Sequence, residues 1–341
     1  MAYEYSPSTS PYRPLTRSWF RTLAFAAMIL LWVPMVFNGS FEALLTAPLT
    51  GHLNSTTELR TNYTGFFPLD YFIGVMVGFF FPATCAQDEG YQIAALGLLW
   101  QTFGAAIILP IYYTTHIEWA SQKKVSQVAS LDRARALTPA FILGVVAPTA
   151  TIMAPTWIGP DYRSAEYHQT LVAIFMLSPV WVSSIQEVAT RASAWQRQGS
   201  STRRDKTKAS MWTRAVYLQT CVVSAAGHLY PMYKIFTAKN PENVNLTRLY
   251  IPSPFEPPSG TTDVLVIGSW LFLQYDHIII SLSSLSWVLV LLRKTKVAEQ
   301  LATSTMICRL LIGSVLIGPG ATVSLALYFR EGFLESDGGK E

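Results

Sequence analysis

Apolar residues along this chain gather into eight long runs separated by polar stretches. The runs cover about Trp19–Phe37, Phe66–Thr84, Tyr91–Tyr113, Ala136–Met153, His168–Val182, Trp212–Phe236, Val264–Leu292 and Met306–Tyr328. Roughly 20 apolar residues suffice for a helix to cross a bilayer. Backbone groups in hydrocarbon must be satisfied within the segment, so helices are the default. The runs lack the ten-residue alternation of a membrane barrel. The pattern predicts an all-α fold, a polytopic transmembrane helical bundle of about eight helices, or seven if the first run does not span. Residues 1–17 read as a flexible polar N-terminus, 18–330 as a single transmembrane helical domain and 331–341 as an acidic tail. No small-residue cleavage site follows the first run, which therefore reads as a retained helix. No internal repeat is visible, which weighs against a secondary transporter.

Polar residues inside the runs stand out against this background. The run Val264–Leu292 carries Gln274-Tyr275-Asp276-His277 near its middle. An ionisable residue at that depth is costly and usually faces a bundle interior or a cavity. At helical spacing Asp276 shares a face with Ile280, Ser283 and Trp287, and His277 with Ser281 and Ser284. The same pattern fits an acid that only hydrogen-bonds a neighbouring helix. Asp70 opens the second run on a face with Gly74 and Gly78, spacing that marks close helix contact. Glu118 closes the third run and Glu187 the fifth. Simple alternation of spans places Asp70, Glu118 and Glu187 at one end of the bundle, where interfacial solvation or pairing with Lys and Arg competes with a catalytic role. Trp181, Tyr275 and Trp287 lie inside runs, where ring faces can stabilise a passing cation. His228, in Gly227-His228-Leu229-Tyr230-Pro231, fits a helix break as well as a binding role. Asp88-Glu89 reads as a solvated turn.

Composition agrees with the pattern. Half of the 341 residues are hydrophobic, only 13% are charged, and the mean hydropathy is +0.29. A soluble domain carries about 25% charged residues. The net charge of +4 gives no reason to expect nucleic acid. Cys85, Cys221 and Cys308 form neither a disulfide framework nor a zinc pattern. The chain has no paired acidic cluster for magnesium and diphosphate, and no phosphate-binding or dinucleotide loop. No metal and no cofactor are therefore expected, and singly scattered acids suit proton donation. Lys and Arg concentrate in the loops after the third, fifth and seventh runs, which predicts that these face the cytosol. Two signals disagree. Arg13 and Arg17 precede the first run and Arg21 lies at its very start, and the first loop holds the sequons at Asn38, Asn54 and Asn62, usable only in the lumen. The sequon at Asn245 fits the charge count.

The stretch Phe67-Pro68-Leu69-Asp70-Tyr71 through Phe79-Phe80-Phe81-Pro82, followed by a helix ending His116-Ile117-Glu118, resembles the fungal integral-membrane terpene cyclases of meroterpenoid pathways, of the ascofuranone and macrophorin type. The resemblance covers the layout of the whole chain, with recognisable motifs between Phe67 and Glu118. It implies protonation of an epoxide or alkene on a lipophilic prenylated substrate, cation–olefin ring closure and deprotonation, without metal, in the bilayer of the endoplasmic reticulum. A carboxyl withdrawn from water is a capable proton donor near neutral pH. Asp276, Glu118 and Asp70 are the candidate acids. Glu187, His277, Tyr275, Trp287, Trp181 and His228 are candidate substrate contacts. His116 and Trp119 depart from the more basic flank expected around Glu118. A non-catalytic receptor, transporter or scaffold is the competing reading, and the oligomeric state is not indicated.

Overall fold

A computed structural model describes residues 12–54, 57–84, 104–122, 130–159, 162–176, 178–196, 203–238, 245–254, 263–295 and 297–338. Asp88-Glu89 and the first part of the third run lie outside these residues. The chain folds into helices α1 (Tyr12–Phe37), α2 (Ser40–Thr50), α3 (Phe67–Thr84), α4 (Ala105–Gln122), α5 (Leu131–Phe141), α6 (Ala147–Ile158), α7 (Ala165–Phe175), α8 (Ser178–Gln196), α9 (Arg203–Thr237), α10 (Leu246–Tyr250), α11 (Val264–Leu292), α12 (Val297–Gln300), α13 (Thr303–Leu316) and α14 (Pro319–Gly338). Among the described residues there is no strand, only an isolated bridge between His52 and Glu58.

The helical class is as expected, and the count of about eight long helices is corrected. Among the described residues three helices are long and apolar enough to cross a membrane alone: Leu15–Phe37, Leu131–Ile158 and Val264–Leu292. The pair α7–α8, bent by 56°, makes a fourth if it is one broken span. This is an integral membrane protein whose apolar runs are often broken. A π turn over Ile142–Val146 joins α5 to α6. Gly318, at φ +88°, splits the last run into the hairpin α13–α14. Pro319 then opens α14, where its missing N–H costs nothing. Hydropathy averages over such breaks, so the sequence pattern does not show them.

The middle of the bundle is the three-way contact of α1, α4 and α11. Phe20, Leu31 and Met35 of α1 are fully buried there. Backbones approach closely where α11 meets the start of α2. A Cβ added at Gly268 would run into Ser40. One residue on, Ser269 Oγ donates to the Phe79 carbonyl at 3.0 Å and ties α3 to α11.

Two poles result. At one, Arg17 grips Glu118 at 2.6 Å, Trp19 Nε1 donates to Ser286 Oγ at 3.2 Å, and Ser193 Oγ donates to Asp132 at 3.0 Å. These contacts gather the starts of α1 and α5 with the ends of α4, α8 and α11. At the other, Asn54 Nδ2 donates to Asp263 Oδ2 at 2.9 Å, Gln169 Nε2 to the Glu58 carbonyl at 2.8 Å and Tyr230 hydroxyl to the Thr156 carbonyl at 3.2 Å. Asp70 lies on this second side, bonded to residues 63–65. Glu118 and Glu187 belong to the first. The alternation that put all three acids at one end therefore fails. Its physical reason is that the end of α3 and the start of α4 meet the same level of α11, where Phe79 and Gly104 both lie against Phe272.

The same geometry removes the conflict over orientation. Asn38, Asn54 and Asn62 share a pole with Asn245, which caps α10 beside the first half of α11. Arg17, Arg21, Arg191, Lys208 and Arg293 collect at the opposite pole. Excess positive charge favours the cytosol, so charge and sequons now agree. In sealed microsomes, a protease-sensitive tag placed between Arg191 and Lys208 will be cleaved, while tags at Asn62 and Asn245 are both protected. Cleavage at Asn62 together with Ser200 would contradict this arrangement.

Candidate active site

Asp276 is 2% exposed, in the middle of α11. Its Oδ1 accepts the backbone N–H of Ala106 at 2.9 Å. Ala106 is the second residue of α4, and the first amides of a helix have no partner within the helix. The carboxyl of α11 thus caps the N-terminus of α4, where the helix dipole favours negative charge. Gly104 makes the approach possible. Its φ of +82° belongs to glycine, and an added Cβ would sit 2.9 Å from Leu31 Cδ1, 3.1 Å from Phe272 Cζ and 3.3 Å from Asp276 Oδ1.

Those distances place the Phe272 ring and the Asp276 carboxyl beside the same point of backbone. Phe272 stands edge-on to Phe79 at 4.9 Å and to Trp32 at 5.2 Å; Phe80 and Phe41 extend the group. The carboxyl therefore borders a cluster of aromatic rings, whose faces attract positive charge. Further along the same face of α11, Trp287 stacks on Tyr113 at 4.6 Å, and its Nε1 donates to His116 Nδ1 at 3.3 Å. Tyr113 hydroxyl and Ser284 Oγ share a 2.8 Å hydrogen bond between these layers. The α4–α11 seam is thus acid at its middle, aromatic along its length and closed by His116 toward the pole that holds Arg17.

The remaining candidates are dispersed. His277 turns away from Asp276 toward Tyr250, with ring centroids 6.0 Å apart, and Tyr250 hydroxyl meets His228 Nδ1 at 3.4 Å. His228 Nε2 bonds the Val315 carbonyl, so His228 and His277 form a separate polar group on the other side of α11. Tyr275 packs against the main core. Asp70 is 6% exposed and accepts from Tyr63 N, Thr64 N, Thr64 Oγ1 and Gly65 N, which folds the chain entering α3. Glu118 holds Arg17, and Glu187 pairs with Arg191 one turn along its own exposed helix face. Trp181 is exposed and donates to the Ile174 carbonyl. Of the sequon asparagines, Asn54 uses its amide nitrogen on Asp263, Asn38 holds Ser40, and Asn62 is exposed. Among the described residues no three His, Cys, Asp or Glu side chains gather as metal ligands. Two hollows of about 490 and 340 Å³ lie by Arg17 and Arg21 and by Arg135 and Lys208. Neither is lined by Asp276. Sequence reasoning missed Gly104, Phe272, Phe79, Trp32, Tyr113 and the role of His116. The Phe79-Phe80-Phe81 run was the one visible sign.

The CtvD domain matches residues 16–96 and 90–334. The chain belongs to the CtvD family. Among similar proteins, terpene cyclase DEP1 of Fusarium langsethiae is 28% identical over 352 residues, covering 88% of this chain and 94% of the relative. Terpene cyclase DEP1 of Alternaria brassicicola is 26% identical with the same coverage, 88% and 94%. Terpene cyclase ascI of Acremonium egyptiacum is 23% identical over 201 residues, 58% of this chain and 50% of that one. No solved structure matches. The CtvD match takes in both helices that meet at Asp276.

Gly104 tests the geometry. Gly104→Ala puts a side chain into a left-handed conformation worth about 1–2 kcal/mol, into occupied space. The variant will melt at lower temperature in lipid nanodiscs and lose turnover with it. An unchanged melting temperature would show that α4 does not begin as described.

Proposed function

We propose that this CtvD-family protein is a membrane-bound terpene cyclase that closes rings on a lipophilic prenylated substrate in fungal meroterpenoid biosynthesis, in the endoplasmic reticulum, with Asp276 as its proton donor. The observation that carries the reading is the buried Asp276 carboxyl beside an aromatic cluster, in a chain similar along most of its length to proteins named terpene cyclases. The carboxyl gives its proton to the epoxide oxygen, or to an alkene carbon, at the end of the prenyl chain. The C–O or π bond breaks and leaves a carbocation. The next double bond supplies the electron pair for a new C–C bond, and the positive charge moves along the chain. Loss of a proton from carbon ends the sequence, so the reaction is an isomerisation that restores the acid. The rings of Phe272, Phe79 and Trp32 stabilise the charge, and surroundings without water prevent its early capture. Asp70, with four donors on its two oxygens, and Glu118, held by a guanidinium, serve the fold.

The seam lies within the bilayer, so a hydrocarbon substrate reaches it sideways from lipid. Metal independence rests on the sequence, which has no acidic cluster suited to a diphosphate-bound cation.

Nanodiscs containing the protein, given a farnesylated aromatic epoxide, will form cyclised product, and EDTA will leave the rate unchanged. Loss of product on chelation, restored by magnesium, would count against the mechanism. Glu118→Gln removes a half-exposed ion pair worth about 0–1 kcal/mol and will keep near-normal turnover. Its inactivation in a folded protein would move the acid to the cytosolic pole. Asp70→Asn will lower stability, since an amide NH₂ would face backbone donors at a cost of about 1–3 kcal/mol, and its surviving folded fraction will turn over normally.

A further inference from the structure

The two hollows at the cytosolic pole take no part in the reaction. The one beside Arg17 and Arg21 is lined, among the described residues, from α1 alone, and its Arg17 is committed to Glu118. The other is built by three helices. Leu131 and Arg135 come from α5, Ser193 and Gln196 from α8, and Asp205 and Lys208 from α9, around about 340 Å³. That volume lies in the range of small-molecule sites. One wall is fixed by the fold: Leu131 is 4% exposed, and Ser193 Oγ donates to the buried Asp132. Among the described residues, neither the Arg135 guanidinium nor the Lys208 ammonium has an ion-pair or hydrogen-bond partner.

Depth decides what can reach this hollow. The membrane-length segment Leu131–Ile158 starts at it. Trp195, next to Gln196, is 87% exposed, and Trp212, one turn past Lys208, is 40% exposed. Exposed tryptophans at the ends of spans mark the head-group layer. Excess positive charge at the cytosolic pole accounts for cations there. It does not account for a hollow shared by three helices with a carboxylate set among the cations. Two cations and one carboxylate fit a ligand that carries the opposite charges. The phosphodiester of a glycerophospholipid offers one negative charge to Arg135 and Lys208, and a guanidinium can hold two of its oxygens at once. A primary ammonium on the same head would meet Asp205, whose carboxylate accepts several donors. We propose that this hollow is a binding site for an aminophospholipid head group of the phosphatidylethanolamine type, with its phosphate on Arg135 and Lys208 and its ammonium on Asp205. Phosphatidylcholine shares the phosphate, but its quaternary nitrogen has no N–H to donate. Phosphatidylglycerol shares the phosphate and has no ammonium.

The measurement is lipid-induced stabilisation of the whole protein, which needs no turnover. Phosphatidylcholine nanodiscs are compared with nanodiscs in which part of the lipid is phosphatidylethanolamine or phosphatidylglycerol with the same acyl chains. Phosphatidylethanolamine will raise the melting temperature at a mole fraction about two- to fivefold below that needed for phosphatidylglycerol, the effect of a partly solvated ion pair. Asp205→Asn will bring the two lipids level. Arg135→Gln, at an exposed position, will raise the mole fraction needed for either lipid by about fivefold. A general effect of phosphatidylethanolamine on the bilayer survives Arg135→Gln, so stabilisation that this variant leaves unchanged overturns the site. Phosphatidylglycerol acting as well as phosphatidylethanolamine on the unmodified protein overturns the aminophospholipid assignment. That comparison needs no variant, so a poorly folding Asp205→Asn does not remove the test. Soluble glycerophosphoethanolamine, added to phosphatidylcholine nanodiscs, separates a lipid from a free phosphodiester. It will stabilise little, and stabilisation equal to that by the lipid would overturn the lipid as the ligand.

Discussion

The bond from the Ala106 amide to the Asp276 carboxyl is the constraint around which the rest is arranged. A carboxyl in mid-bilayer is among the costliest groups a helix can carry there. The first turn of a helix, with its unpaired amides, is costly in the same place. Each answers the other, and the pairing fixes how α4 stands against α11. Gly104 is the condition for it, because no larger residue leaves room for the carboxyl and the Phe272 ring together. Asp276, the acid that the described residues place at the middle of the bundle, is therefore held in position by the start of a helix, not by a cation. A cation there would keep the group ionised, whereas a single amide leaves the carboxyl able to exchange a proton.

From that point the α4–α11 seam is graded. Aromatic rings flank the acid, a stacked Tyr113–Trp287 pair continues the lining, and His116 closes it. The polar group of His277, Tyr250 and His228 lies on the far side of α11. It fastens α9 and α10 to the bundle, as Gln274 does through the carbonyls of Arg248 and Leu249.

Much of this was legible in the sequence. The all-helical membrane class followed from eight apolar runs, and Asp276 was visible because nothing else charged lies so deep in so apolar a run. The helix count was not legible. Hydropathy is blind to the π turn after Phe141, the bend between α7 and α8 and the reversal at Gly318. Alternation then misplaced Asp70 relative to Glu118, since the counting rule treats every apolar run as a crossing. Ion pairs were out of reach for another reason: Arg17 and Glu118 are 101 positions apart. The aromatic cluster was hidden because Phe272, Phe79 and Trp32 give the same signal as any core. Only their convergence on a carboxyl marks them, and that is a fact of three dimensions.

The central claim is that Asp276 gives a proton and does not merely cap α4. Asn at that position can still accept the Ala106 N–H and so preserves the cap, but it has no acidic proton. Turnover and melting temperature of Asp276→Asn, measured on the same nanodisc preparation, separate the two roles. The account predicts a nearly unchanged melting temperature with turnover lower by at least about 10²-fold, the lower end for a general acid. Turnover close to that of the unmodified protein would contradict it.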